Sequence, residues 1–179
     1  RRLNLAAYAP LRYVLPHKQE AYDKKYSTQV KGGTGFFRQA DREESLIHLL
    51  RVNLLKRMES SVVAFALTVE RQLQDVQATL QRIEAEAAEL EEIDIDDVDI
   101  EDSAFESLLV GRKVKVLLQD VDLVRWKQDL IEDRNRLANL IGAAREVSAE
   151  RDAKLAALRQ VIEHKHQEPI NSGNRKVIV

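Results

Sequence analysis

Apolar residues recur at helical spacing along most of this chain, most regularly after residue 40. Leu46, Leu49, Leu50, Leu54 and Leu55 share the spacing of a buried helix face, and Val62, Phe65 and Val69 resume it. From Val62 the apolar positions are 62, 65, 69, 73, 76, 80, 83, 87 and 90, steps of three and four that mark a coiled-coil seam with a stutter near 69 to 73. The spacing predicts helix from about Asp41 to about Glu92, opened by a capping-box variant of Asp41 and Glu44. The simplest partner for the seam is a later helix of the same chain; a second chain is the other.

That later helix is predicted to start at Asp120 or Asp122, both good N-caps, with Leu123, Trp126, Leu130, Leu137, Leu140 and Ile141 as its apolar stripe. Trp126 reads as a packing anchor for the first long helix rather than a platform for stacked bases. Ser148 or Asp152 then caps a further helix carrying Leu155, Leu158, Val161 and Ile162, and residues 169–173 (PINSG) turn the chain into a final apolar strand. Earlier signals are weaker. Residues 1–15 read as extended, punctuated by Pro10 and Pro16, and Pro16 suits the first position of a short helix ending near Tyr26, with Tyr22 and Tyr26 on one face. Residues 31–35 (KGGTG) read as a flexible loop, not a phosphate loop, because no GK[ST] follows. Val114, Val116 and Leu118 alternate with Lys113 and Lys115, which predicts a short strand.

The predicted fold is mainly α: a long antiparallel helical hairpin, coiled-coil-like, with small extended or β segments at its base. Its parts are residues 1–40 (extended segment and short helix), 41–92 (long helix), 93–119 (acidic loop and short strand), 120–168 (return helices) and 169–179 (turn and strand start). Composition agrees, since 5% aromatic and 32% charged residues suit long helices better than a sandwich or barrel. The absence of cysteine removes thiolate chemistry and disulfides, and no apolar run is long enough to span a bilayer.

Charge divides the chain. Residues 1–57 carry a balance of +7, residues 58–102 of −12 and residues 103–179 of +3. Such polarity suits a chain whose basic end meets a polyanion; a merely solubilising acidic tip is the bland alternative. Residues 91–102 (EEIDIDDVDIED) break the helical pattern, and lack the central Gly and terminal Glu of an EF-hand. His164 and His166, two apart on a predicted helix, make a poor metal pair, and no catalytic triad is available. The segment is expected to catalyse nothing by itself and to hold no cofactor. Arg51, Lys56 and Arg57 are the candidates for phosphate contact, with intramolecular salt bridges as the competing role for Lys56 and Arg57. The chain opens without an initiator Met and closes inside an apolar run, so it reads as a piece of a longer protein.

Three separated segments carry a resemblance. Tyr13-Val14-Leu15 followed by Gln19 and Tyr22, Leu54-Leu55-Lys56-Arg57 followed by Glu59-Ser60-Ser61, and Lys154-Leu155 with Leu158 and then residues 174–179 (NRKVIV) resemble, in that order, the inter-lobe region of Swi/Snf-like superfamily-two helicases and translocases. The form LLKRMESS looks closest to a prokaryotic branch of that group. The resemblance implies a parent that hydrolyses ATP with Mg and moves on duplex DNA in a prokaryotic cytoplasm. This chain would be its helical linker and protrusion, flanked by the parent's motor lobes and presenting its acidic tip to a protein partner or, as a DNA mimic, to the motor's own cleft. Walker A and the Asp-Glu box are absent, so the nucleotide site would lie upstream. The rival class is a structural coiled-coil module that pairs two chains.

Overall fold

A computed structural model describes residues 2–26, 28–29, 36–86, 109–110, 114–148, 151–169, 171, 173, 174 and 176. The protein is mainly helical. Its α-helices are α1 (Gln19–Tyr26), α2 (Gln39–Ser60), α3 (Val62–Glu86), α4 (Leu123–Arg145) and α5 (Ala153–Gln167). Two small antiparallel pairs accompany them: β1 (Thr28–Gln29) with β2 (Phe36–Phe37), and β3 (Leu109–Val110) with β4 (Val116–Leu117). The acidic stretch 91–102, the loop 31–35 and most of the final apolar run lie outside the described residues, as do seam positions 87 and 90.

α3 and α4 form the most extensive helix pair. Phe65, Val69, Val76, Leu80 and Ile83 of α3 are buried, as are Trp126, Leu130, Leu137 and Ile141 of α4. The seam is therefore closed within one chain, which removes its apolar surface from water without a second copy. Asp122 caps α4 by accepting the Arg125 amide at 3.0 Å, and Asp152 caps α5 through the Leu155 amide at 3.0 Å. α2 begins at Gln39 with no side-chain cap, so the capping box expected from Asp41 and Glu44 does not form.

The stretch expected as one helix is two. Ser61 leaves the helical region at φ −157°, ψ 123°, and its amide still closes α2 on the Arg57 carbonyl at 2.8 Å. Its Oγ accepts the Ala64 amide at 3.2 Å, so the same residue caps α3. A serine bonding its own backbone can divert a helix where neither Pro nor Gly is present. α2 also buries a different face from the one expected: Glu43, Ile47 and Leu54 are buried, Leu50 is half-buried, and Leu46, Leu49 and Leu55 are exposed.

The largest departure is at the start of the chain. Residues 6–8 and 10–13 form two 3-10 turns, and Leu5, Ala6, Ala9 and Tyr13 are almost wholly buried. This segment lies among α2, α3 and α4, and an isolated bridge from Val14 to Val121 ties its end to the approach to α4. Pro16 starts a turn over residues 16–18, with the helix proper beginning three residues later at Gln19. Tyr22 and Tyr26 do share a face and stack, with centroids 6.4 Å apart.

Candidate functional site

The buried initial segment is held largely by side chains that interrupt the apolar stripes. Leu5 sits in the left-handed region at φ 55°, ψ 42°, an uncommon conformation for a branched side chain. It turns the amides on either side toward one carboxylate: Asn4 N–H donates to Asp133 Oδ1 at 2.6 Å and Ala6 N–H to Oδ2 at 2.8 Å. Asp133 is fully buried, and burial raises its pKa although both amides and Arg136 oppose the shift. One turn earlier on α4, Asp129 accepts Asn4 Nδ2 at 3.1 Å and the Tyr13 hydroxyl at 2.7 Å. Trp126 donates Nε1 to the Ala6 carbonyl at 3.1 Å and stacks on Tyr13 at 5.7 Å. It is a packing anchor as expected, but much of what it anchors is the initial segment.

Glu43 approaches from α2. Its Oε2 accepts the Leu11 amide at 3.1 Å, while its Oε1 has no hydrogen-bond partner among the described residues. Only 3% of the residue is exposed, and burial pushes its pKa up to about 8 against the smaller, opposing effects of Leu11 N–H and Arg12.

The three basic residues singled out from the sequence do not share a face. At about 100° per residue, Lys56 and Arg57 point well away from Arg51 and from each other. Arg51 is half-buried and donates Nε and Nη2 to the Leu3 carbonyl at 2.9 and 2.5 Å. Burial, then the charges of Arg2 and Arg12, lower its pKa from the ordinary value. Arg51 thus lies close enough to Arg2 and to Arg12 to be repelled by each, with Asp133 opposing the effect. Arg57 is exposed and reaches across the α2–α3 junction to Thr68 Oγ1 at 3.1 Å. Lys56 is exposed and makes no ion pair among the described residues. Lys154, at the start of α5, donates to the Glu59 carbonyl near the end of α2, which brings the second and third resemblance segments into contact.

Sequence reasoning missed Arg2, Arg12, Glu43, Asp129 and Asp133. A signal was present for the two buried acids. Glu43 precedes Ile47, Leu50 and Leu54 at helical steps, and Asp133 fills the missing turn between Leu130 and Leu137. Among the described residues no group of three or more His, Asp or Glu side chains is placed to hold a metal ion. No helix among them is long and apolar enough to cross a membrane. Comparison with family models, curated proteins and solved structures gave no match.

Proposed function

We propose that this chain is the helical linker and protrusion of an ATP-dependent DNA helicase or translocase, coupling the parent's motor lobes and touching the DNA backbone. The observation that carries the reading is the set of basic side chains on and beside α2, although they lie on different faces of the helix. Arg2, Arg12 and Arg51 raise a common positive potential, and Lys56 and Arg57 add two exposed cations a turn or more away. Guanidinium groups gathered in one region are natural partners of phosphates. The order of the three resemblance segments supports the same reading.

In this arrangement α3 and α4 are the arms of an antiparallel hairpin. Glu70, in the first half of α3, pairs at 2.7 Å with Arg145, the last residue of α4, and residues 91–102 fall between the arms in sequence. The acidic residues 91–102 are the part of the chain we propose to meet a protein partner. ATP and Mg belong to the parent motor, and its setting is the prokaryotic cytoplasm.

The test is fluorescence anisotropy with a short DNA duplex at several salt concentrations. Lys56→Glu with Arg57→Glu is expected to weaken binding about tenfold or more, and to flatten the log–log salt dependence by roughly 0.9 for each phosphate no longer neutralised. Unchanged affinity and slope would remove these two residues from any DNA role.

A further inference from the structure

Leu3, Val52, Leu55, Met58, Phe65 and Leu140 wall a cavity of about 470 Å³ where the initial segment meets α2, α3 and α4. Its volume falls in the range of small-molecule sites, roughly 300–1,000 Å³. Leu55 and Met58 remain 59% and 45% exposed, so the apolar wall reaches the surface and a ligand can enter. Branched aliphatic side chains and one thioether predominate, a lining that adapts to a flexible alkyl chain better than to a flat ring system.

The polar side chains on the wall are Arg2, His48 and Arg51, with no acid among them. The Arg51 guanidinium is fixed there, since Nε and Nη2 donate to the carbonyl of Leu3, itself a lining residue. Its Nη1 has no hydrogen-bond partner among the described residues, yet it is not sealed in the packing, so a ligand can reach this donor. Arg2 is exposed and makes no ion pair among the described residues. Burial, then the charges of Arg2 and Arg12, lower the pKa of Arg51, so the two wall arginines lie within each other's field. An anion beside them relieves that repulsion. A carboxylate, with a single charge, costs less to dehydrate against an apolar wall than a phosphate dianion.

We propose that this cavity binds a medium-chain alkyl carboxylate, its tail against Leu55, Met58 and Phe65 and its head on the Arg51 guanidinium, with Arg2 beside it. Arg2 and Arg51 also belong to the basic set proposed to meet DNA, but a phosphate backbone has no tail to bury. Affinity that depends on tail length therefore belongs to this site alone, and its failure would leave the DNA reading untouched.

The experiment is a titration of the whole chain with octanoate near neutral pH, without nucleic acid, followed by calorimetry and by amide shifts. Saturable binding that moves the amides of Val52, Leu55 and Phe65 is expected, weakening by up to about fourfold for each methylene removed toward butanoate. n-Octanol, which has the tail without the charge, should bind about tenfold more weakly. Arg51→Gln keeps a donor for the Leu3 carbonyl. It should lower octanoate affinity about tenfold while leaving octanol affinity unchanged, a split that a general loosening of the fold would not give. Leu55→Asp puts a repelling carboxylate on the wall at an exposed position, should abolish octanoate binding, and keeps the test decisive if the Gln variant fails to fold. Octanoate affinity no different from that of acetate, equal affinity for octanol, or undiminished binding in Leu55→Asp would overturn the proposal. Concentration-dependent self-association that is lost in Leu55→Asp would assign the face to a second copy of the chain and would also overturn it.

Discussion

Glu43 and Asp133 are carboxyl groups that folding takes out of water, and both are pushed above their ordinary pKa by that burial. Between the unfolded value near 4.5 and the folded value of about 8, the folded chain keeps a proton on Glu43 that the unfolded chain has released. Stability from this group is therefore full below the unfolded pKa and is lost as pH rises through the folded one, and Asp133 acts in the same direction. The expected result is a thermal midpoint that falls from pH 5.5 to 8.5, with a shallower slope in Glu43→Gln. Carboxylates stabilised in ion pairs change stability only below about pH 5 and would leave the midpoint flat across this window, so scanning calorimetry at the two pH values separates the cases. The same residues show why a buried acid is tolerated. Asp133 meets two amides that the left-handed Leu5 has turned toward it, so both its oxygens and both N–H groups are satisfied by one carboxylate.

Helix ends and breaks are decided by single side chains. Ser61 closes α2 through its amide and opens α3 through its hydroxyl. Removing the hydroxyl in Ser61→Ala should cost about 1 kcal/mol, the usual loss for a serine N-cap, read as a shift in the urea midpoint with an unchanged slope. The LLKRMESS block thereby acquires a mechanical meaning. It is the last two turns of one helix and the cap of the next, and Arg57 reaches forward over the joint to Thr68. α5 contrasts with the other long helices. It buries no residue, leaves Leu155 and Val161 exposed, and touches the end of α2 through Lys154 at the Glu59 carbonyl. A helix so placed contributes little to the core.

At the scale of the molecule, the core is organised around the α3–α4 pair and the segment packed against its base. Val69, Val76 and Ile83 have no exposure left with which to pair a second copy. Sedimentation velocity should accordingly find a monomer across a wide concentration range. Val76→Asp should unfold the chain rather than dissociate it, because an isolated charge would be sealed between α3 and α4. A dimer disrupted by that change, with the fold intact, would favour the two-chain coiled coil. Charge is also a property of the whole: the balances of +7 over residues 1–57, −12 over residues 58–102 and +3 over residues 103–179 leave a net charge of only −2.

Periodicity and caps by themselves determined that the protein is mainly helical, that a seam begins at Val62, and that helices start at Asp120 or Asp122 and at Ser148 or Asp152, because these are local properties of spacing and side-chain hydrogen bonding; the structure selects Asp122 and Asp152. The short strand near Val116 was legible for the same reason. The path of residues 2–15 was not. No local preference puts a leucine at φ 55° or buries that segment; it adopts this form because α2 and α4 offer Asp129, Asp133, Trp126, Glu43 and Arg51 as partners. Arg51 was legible as a basic residue in a helix, but its bond to the Leu3 carbonyl depends on a segment 48 residues away. Only the tertiary structure could decide which acids would be buried and which oxygen would be left without a donor, since burial is set by what packs alongside.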